Sequence, residues 1–337
     1  MSTPTVVSVI VLGCTSTVMP DGSPSDWLTD RLLTTLQLVT HHQDAASGVS
    51  LVAEAPARGH LVMEIICSGA AVRSAVTEAS CMNAWLTKEL TRAEPPFRLS
   101  RTEAHAFTPV HRASSPSSQP YVLEWKSAWA THEHRVSVSI VEESQATDSG
   151  ENLMYSLRYW KQKGNERPVL LGDDGREESA QSPQPPVTLS LWLITSDFHL
   201  VRGATLCRNE LSFSFGEQCS THFVLENDTV FLGSGLLLAS GEGDPSLIAA
   251  LKRGAEQQGW QSTAAAGATN VLVHCLAAPT ATLQGDHRVA RIAREIMLLP
   301  QDVERQRTAQ QRNGGVLSKT EHYDEPILMS ARGLSTI

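Results

Sequence analysis

The sequence predicts a three-layer α/β sandwich in which a mostly parallel central sheet carries helices on both faces. Two observations carry the prediction. Short, near-continuous apolar runs rich in β-branched residues recur along the chain. Between them lie longer stretches of helical periodicity, and strands buried on both faces with crossover helices between them give a parallel sheet.

The first run, VVSVIVLG from Val6 to Gly13, reads as a buried strand. Gly22-Ser23-Pro24 then precedes a helix from about Ser25 to His42, with Pro24 suited to a first helical turn. LVMEIICSG, Leu61 to Gly69, is the second strand, and Thr77 to Leu90 is its helix. VSVSIVEE, Val136 to Glu143, is the third, with a helix from Ser149 to Lys163. TLSLWLITS, Thr188 to Ser196, is the fourth, with a helix to about Asn209. Farther on, a helix is expected around Pro245 to Gln258, a strand over Val271 to Ala277 and a helix over Asp286 to Leu299. The sequence contains no internal repeat.

Two stretches interrupt this order. Residues 94–135 carry Ser114-Ser115-Pro116-Ser117-Ser118, and residues 164–187 carry Asp173-Asp174-Gly175 and Pro183-Gln184-Pro185-Pro186. Both read as surface insertions in a single elaborated domain over residues 1–300, followed by a polar tail over 301–337.

Of the 337 residues, 41% are hydrophobic and 19% charged, the composition of a globular chain. The 27 Lys and Arg against 36 Asp and Glu leave a net charge of −9, which opposes broad binding to nucleic acid or an anionic membrane. No apolar run approaches the roughly 20 residues of a membrane span. No basic residue precedes the apolar start, as a secretory signal requires, so a cytoplasmic location is expected. Six scattered cysteines without a CxxC pair fit reduced, buried thiols and give no cysteine zinc site.

In an open parallel sheet, ligands bind beyond the carboxyl ends of the strands. The first strand ends in Gly13-Cys14-Thr15-Ser16-Thr17, short residues whose amides can face an anion. Ser68-Gly69 ends the second, with Thr77-Glu78 opening its helix. Beyond the third lie Glu142-Glu143-Ser144, Asp148-Ser149 and Glu151-Asn152. After the fourth come Thr195-Ser196, then Asp197-Phe198-His199 and Arg202. His199 and Arg202 are three apart and share a helix face near its N-terminus, a place that favours anions. Each residue also has a structural reading. Ser196 suits an N-cap, and Asp148 with Glu151 fits a capping box. Glu78 suits a solvated first-turn acid, and His199 a satisfied buried histidine.

Together these clusters resemble the YdcF/SanA-like family of bacterial and eukaryotic proteins. The resemblance rests on Val11-Leu12-Gly13, Asp21 to Ser25 with Arg31, Ser68-Gly69 and Thr77-Glu78-Ala79 with Met82. It continues through Thr147-Asp148-Ser149-Gly150-Glu151-Asn152 and ends in Thr195-Ser196-Asp197-Phe198-His199-Leu200-Val201-Arg202. It covers roughly residues 6–215. Compact bacterial members lack so long an insertion after the second helix, and envelope members carry a membrane segment that this chain lacks.

The resemblance implies a Rossmann-like fold with a polar pocket at the strand ends. It implies a small-molecule ligand with an anionic group, and S-adenosylmethionine as a compatible cofactor, since one member is reported to bind it. Carried over, the site residues are Ser68, Glu78, Asp148, Asn152, Thr195, Ser196, His199 and Arg202, with His199 as the acid/base, Arg202 as the anion holder, and Glu78 or Asp148 to orient a hydroxyl or water. Gly13, Ser68, Gly69, Asn152, Thr195 and Ser196 line the ligand site.

Other chemistries lack their motifs. No Gly-Lys-Ser/Thr supports a P-loop, no GxGxxG follows the first strand, and no Gly-x-Ser-x-Gly elbow occurs. His41-His42 and His132-Glu133-His134 have no further ligands at metal-binding spacing. Two functions are therefore expected from this site. One is an enzyme acting on a nucleotide-like or phosphorylated small molecule; the other is a non-catalytic S-adenosylmethionine or nucleoside-binding protein.

Overall fold

The structure, a computed structural model, describes residues 5–13, 18–40, 60–71, 75–92, 98–101, 121–129, 132–170, 189–215, 219–222, 236–239, 253–254, 257, 271–278, 280, 282–283 and 285–311. Among the described residues, nine strands form one sheet. At its centre lie five parallel strands: β1 (Thr5–Leu12), β2 (His60–Ser68), β5 (His132–Glu143), β6 (Leu189–Ser196) and β9 (Val271–Ala278). Their spatial order is β5-β2-β1-β6-β9. The chain starts in the middle, builds outward to β5, then returns past β1 to β6. This is the doubly wound α/β order, and its topological switch point lies between β1 and β6.

That reversal places the helices. Right-handed crossovers put helices of outward and return journeys on opposite faces. One face holds α1 (Asp26–Thr40) and α2 (Glu78–Arg92). The other holds α3 (Ser149–Leu170), α4 (Leu200–Phe215) and α5 (Gly285–Gln311). Alternation along each strand feeds the two cores. Val7, Val9 and Val11 of β1, Met63 and Ile65 of β2, and Trp192 and Ile194 of β6 pack with Leu28, Leu32, Met82 and Leu86 of α1 and α2. Ile10, Leu12, Ile66, Leu191 and Leu193 pack the other way, with Leu153, Trp160, Val201, Leu206 and Leu299. Fully burying each such side chain contributes about 1.5–3 kcal/mol.

Several boundaries differ from expectation. Within 94–135, read as an aperiodic surface insertion, β3 (Arg98–Arg101) and β4 (Tyr121–Trp129) form antiparallel strands that extend the sheet beyond β5. The third parallel strand accordingly begins at His132, and α3 runs on to Leu170, into the second stretch read as an insertion. At the other edge, β7 (Cys219–His222) and β8 (Leu236–Ala239) pair in parallel with successive halves of β9. Pro300 does not end α5, which continues through the start of the expected polar tail to Gln311 and buries Asp302 and Gln306. The helix expected around Pro245 to Gln258 lies almost wholly outside the described residues. Cys67, Cys81, Cys207 and Cys275 are buried free thiols.

Candidate functional site at the carboxyl edge of the sheet

Parallel strands end in register, so their carboxyl ends lie side by side: Leu12 pairs with Ser68, and Ser68 with Glu143. This alone gathers polar residues that are far apart in sequence. At β1 and β2 the backbone closes tightly, with the Gly13 amide donating to the Ser68 carbonyl at 2.6 Å and the Gly69 amide to the Glu143 carbonyl at 2.8 Å. The Glu78 side chain of α2 occupies the space that side chains would fill at both glycines. A Cβ on Gly13 would overlap its carboxylate, and one on Gly69 would stand 2.5 Å from Oε2. Glu78 is buried, so the expectation of a solvated first-turn acid is corrected: two Cβ-less positions make room for its carboxylate.

Ser68 joins β2 to β5 and α3. Its hydroxyl donates to Glu143 Oε2 at 2.6 Å and lies 3.1 Å from Asn152 Oδ1. The other Glu143 oxygen accepts the amides of Gln145 and Ala146, closing the turn after β5. Asp148 is the N-cap of α3, accepting the Glu151 amide at 2.9 Å, and Glu151 reaches back to the Thr147 amide and hydroxyl at 2.7 Å each. This reciprocal pattern is a variant of the capping box. Burial raises the carboxyl pKa of both Glu143 and Asp148, with the Glu151 charge adding to each.

Beyond β6, a single 3-10 turn over Asp197–His199 leads into α4 and puts His199 under the site. Both ring nitrogens are engaged. Nδ1 is 2.9 Å from Thr195 Oγ1, and Nε2 is 3.1 Å from Ser149 Oγ at the first turn of α3. Burial, with the nearby Arg202, Arg31 and Arg291 charges, pushes the His199 pKa down to about 3 against the opposing pull of Glu295. The imidazole is therefore neutral at neutral pH. Its 4.0 Å approach to Glu295 is a contact between a carboxylate and a neutral ring.

Arg202 is placed differently from expectation. Its guanidinium is gripped by two α5 carboxylates, Nε donating to Asp302 at 2.6 Å and a terminal nitrogen to Glu295 at 2.7 Å. Burial opposes ionisation of Glu295, but the charges of Arg202 and Arg291 and the hydrogen bond from Arg202 hold its pKa below the ordinary carboxylate range. Ser196 does not cap the turn with its side chain. Its Oγ instead accepts from Arg31 Nε at 2.8 Å. Arg31, almost fully buried on α1, also donates to the carbonyls of Leu12 and Gly13. One guanidinium thus ties β1 to β6 across the switch point. Above it, Trp27 meets Phe198 edge-on at 5.2 Å between centroids, and Arg291 lies over both rings.

Glu78, Ser68, Asn152, Asp148, Thr195 and His199 are therefore gathered along one edge, Ser196 serves Arg31, and Arg202 serves α5. Sequence reasoning missed Ser149 and Arg31 as site residues, although both stood within the quoted motifs. It also missed Glu295 and Asp302, which carry no local signal because they meet Arg202 only after about a hundred intervening residues. Residues 14–17, expected to face an anion, lie outside the described residues. Among the described residues, no group of three or more His, Cys, Asp or Glu is placed to hold a metal ion, and no helix is long and apolar enough to cross a membrane. No family model, no curated protein and no solved structure matches the chain.

Proposed function

We propose that the chain acts on a nucleotide-like small molecule in the manner expected of a YdcF/SanA-like protein, at the carboxyl edge of the sheet over β1, β2 and β5. The observation that carries this reading is the convergence of Glu78, Ser68, Asn152, Ser149 and His199 beside the switch point of a doubly wound sheet, where α/β folds place their ligands. Ligand hydroxyls suit this edge, because Glu78 and Asn152 offer acceptors. A phosphate would be held by Arg202 only in exchange for Glu295 or Asp302. In the catalytic reading, His199 starts as a base, since burial keeps it unprotonated in the ligand-free protein.

A second reading, S-adenosylmethionine or nucleoside binding without turnover, draws on the same charge balance. Carboxylates crowd the edge while Arg202 is already paired, which suits a sulfonium cation and ribose hydroxyls better than a polyanion. A thermal-shift screen tests both. Ligand binding to the folded state stabilises it by RT ln(1 + [L]/Kd), about 2.7 kcal/mol at a hundredfold excess over Kd. S-adenosylmethionine, adenosine, nucleotides, sugar nucleotides and isoprenoid phosphates form the panel. A shift with a nucleoside-bearing compound, lost in Glu78→Gln, is the expected result. Chromatography of the hit after incubation then separates turnover from binding. Failure of every compound to shift the wild type sinks the proposal.

A further inference from the structure

We propose that Ser149 is a nucleophile with His199 as its base, and that the bond attacked is the carboxylic ester of a hydroxylated small molecule. The inference rests on the catalytic reading of this site and goes beyond it by naming the reacting atom. His199 is buried and both its nitrogens are occupied, so a ligand does not reach the ring directly. The half-buried Ser149 stands between the two, its Oγ 3.1 Å from Nε2, within the reach that a nucleophile and its base require. Thr195 Oγ1, 2.9 Å from Nδ1, completes the arrangement as a positioning residue. When Nδ1–H donates to Thr195, Nε2 is left as the acceptor for the serine proton.

Two further features fit. The Glu295 carboxylate lies 4.0 Å from Nε2, close enough to stabilise the imidazolium as it forms. The crowd of Glu143, Asp148 and Glu151 around the helix start, with Arg202 already held by two carboxylates, selects an uncharged electrophile over a phosphate anion. In the step itself, Ser149 Oγ bonds to the acyl carbon as the carbon–alkoxy bond breaks. The serine proton passes to His199 Nε2 and on to the departing alkoxide. Water then attacks the acyl-serine and gives its proton to Nε2, and the Ser149 oxygen leaves with it, releasing the acid and restoring both residues.

The test uses the full-length protein with a fluorophosphonate probe, which forms a phosphorus–oxygen bond with an activated serine and expels fluoride. Intact-mass and peptide spectrometry are expected to find one adduct, on Ser149, and none in Ser149→Ala. His199→Gln should slow labelling at least roughly tenfold, a smaller contribution than a base titrating near the working pH makes, because burial opposes protonation of the ring. Thr195→Ser should label like wild type, whereas Thr195→Val should not, a distinction that a merely structural role would not make. Should Ser149→Ala fail to fold, Ser149→Cys provides the second arm. Its thiol should react with iodoacetamide at least tenfold faster than in Ser149→Cys/His199→Gln. An adduct on Thr195, or no adduct with equal thiol rates, overturns the proposal. Ligand binding in the thermal screen without labelling would overturn it while leaving the binding reading intact. Labelling of Ser149 without any thermal hit would do the reverse.

Discussion

At the residue scale, the most consequential side chain is Arg31. It occupies the gap between β1 and β6 where a doubly wound sheet parts, and it satisfies two backbone carbonyls and a hydroxyl at once. Removing it leaves those acceptors buried without a donor, and an unsatisfied buried group costs about 1–3 kcal/mol. Arg31→Ala should therefore lower unfolding free energy by roughly 3–5 kcal/mol in urea titration, and Arg31→Lys by nearly as much, because an ammonium cannot span the same three acceptors. A loss below about 1 kcal/mol for both would mean that the strand ends are held otherwise. Gly69 makes a second case. Its φ is +155° and a Cβ there would stand 2.8 Å from the Glu78 Cβ, so Gly69→Ala forces α2 outward. The expected cost is about 1–3 kcal/mol, together with loss of whatever ligand Glu78 holds.

His199 supplies a pH prediction at the same scale. Its folded-state pKa is depressed to about 3, below the unfolded value near 6.5, so between those values the unfolded chain binds the proton and the folded chain does not. Its contribution to stability is therefore complete above the unfolded value and is lost as pH falls through that window, by at most about 1.4 kcal/mol per pH unit. Glu143 and Asp148 act in the opposite sense, since their raised values let the folded state take up protons more readily as pH falls. Comparing wild type with His199→Gln cancels those carboxyls. The variant should show a shallower fall in denaturation midpoint between pH 6.5 and 4, and parallel curves would show that His199 titrates as it does in the unfolded chain.

At the element scale, α5 governs the site from behind. Glu295 and Asp302, two turns apart, clamp Arg202, while Gln306 donates to the Leu206 carbonyl and Arg288 to the Thr280 carbonyl. Breaking one partner of a buried pair is more costly than replacing the whole set, because the remaining charge stays buried. Arg202→Met alone should cost about 3–5 kcal/mol, and Arg202→Met/Glu295→Gln/Asp302→Asn distinctly less, measured by urea titration. A triple variant no better than the single would mean that packing, not charge, holds α5. This clamp was hidden in the sequence for a physical reason. In one dimension Glu295 and Asp302 are acids on a polar helix, indistinguishable from a solvated face, and Pro300 looks like a helix end. The Asp148–Glu151 cap was legible because both residues sit within the first turn of their own helix. The strand β4 had a readable signal in Tyr121-Val122-Leu123 and Trp125, masked by the Ser- and Pro-rich stretch before it.

At the scale of the whole molecule, the parallel strands and their order explain both the site and the distribution of stability. The fold class was legible because strands buried on both faces must be almost wholly apolar, and helices between them must cross over. Spatial order was not, since nothing local tells β6 to return to β1 and not continue outward from β5; that depends on which helix faces fit which side of the finished sheet. Once formed, the order encloses β1, β2 and β6, each paired on both sides over most of its length and packed on both faces. The four-residue β3 lies at the edge, with β4 as its pairing partner. Opening the centre requires dismantling both hydrophobic cores, whereas releasing β3 breaks one short ladder. Native-state hydrogen exchange should therefore find the amides of Val9, Ile10, Ile65 and Ile66 exchanging only through global unfolding. Those of Leu99 and Ser100 should exchange on the order of 100-fold faster through local opening. Equal protection at the two places would mean that the antiparallel edge folds as one cooperative unit with the parallel centre, and that β3 and β4 belong to the core on which the site is built.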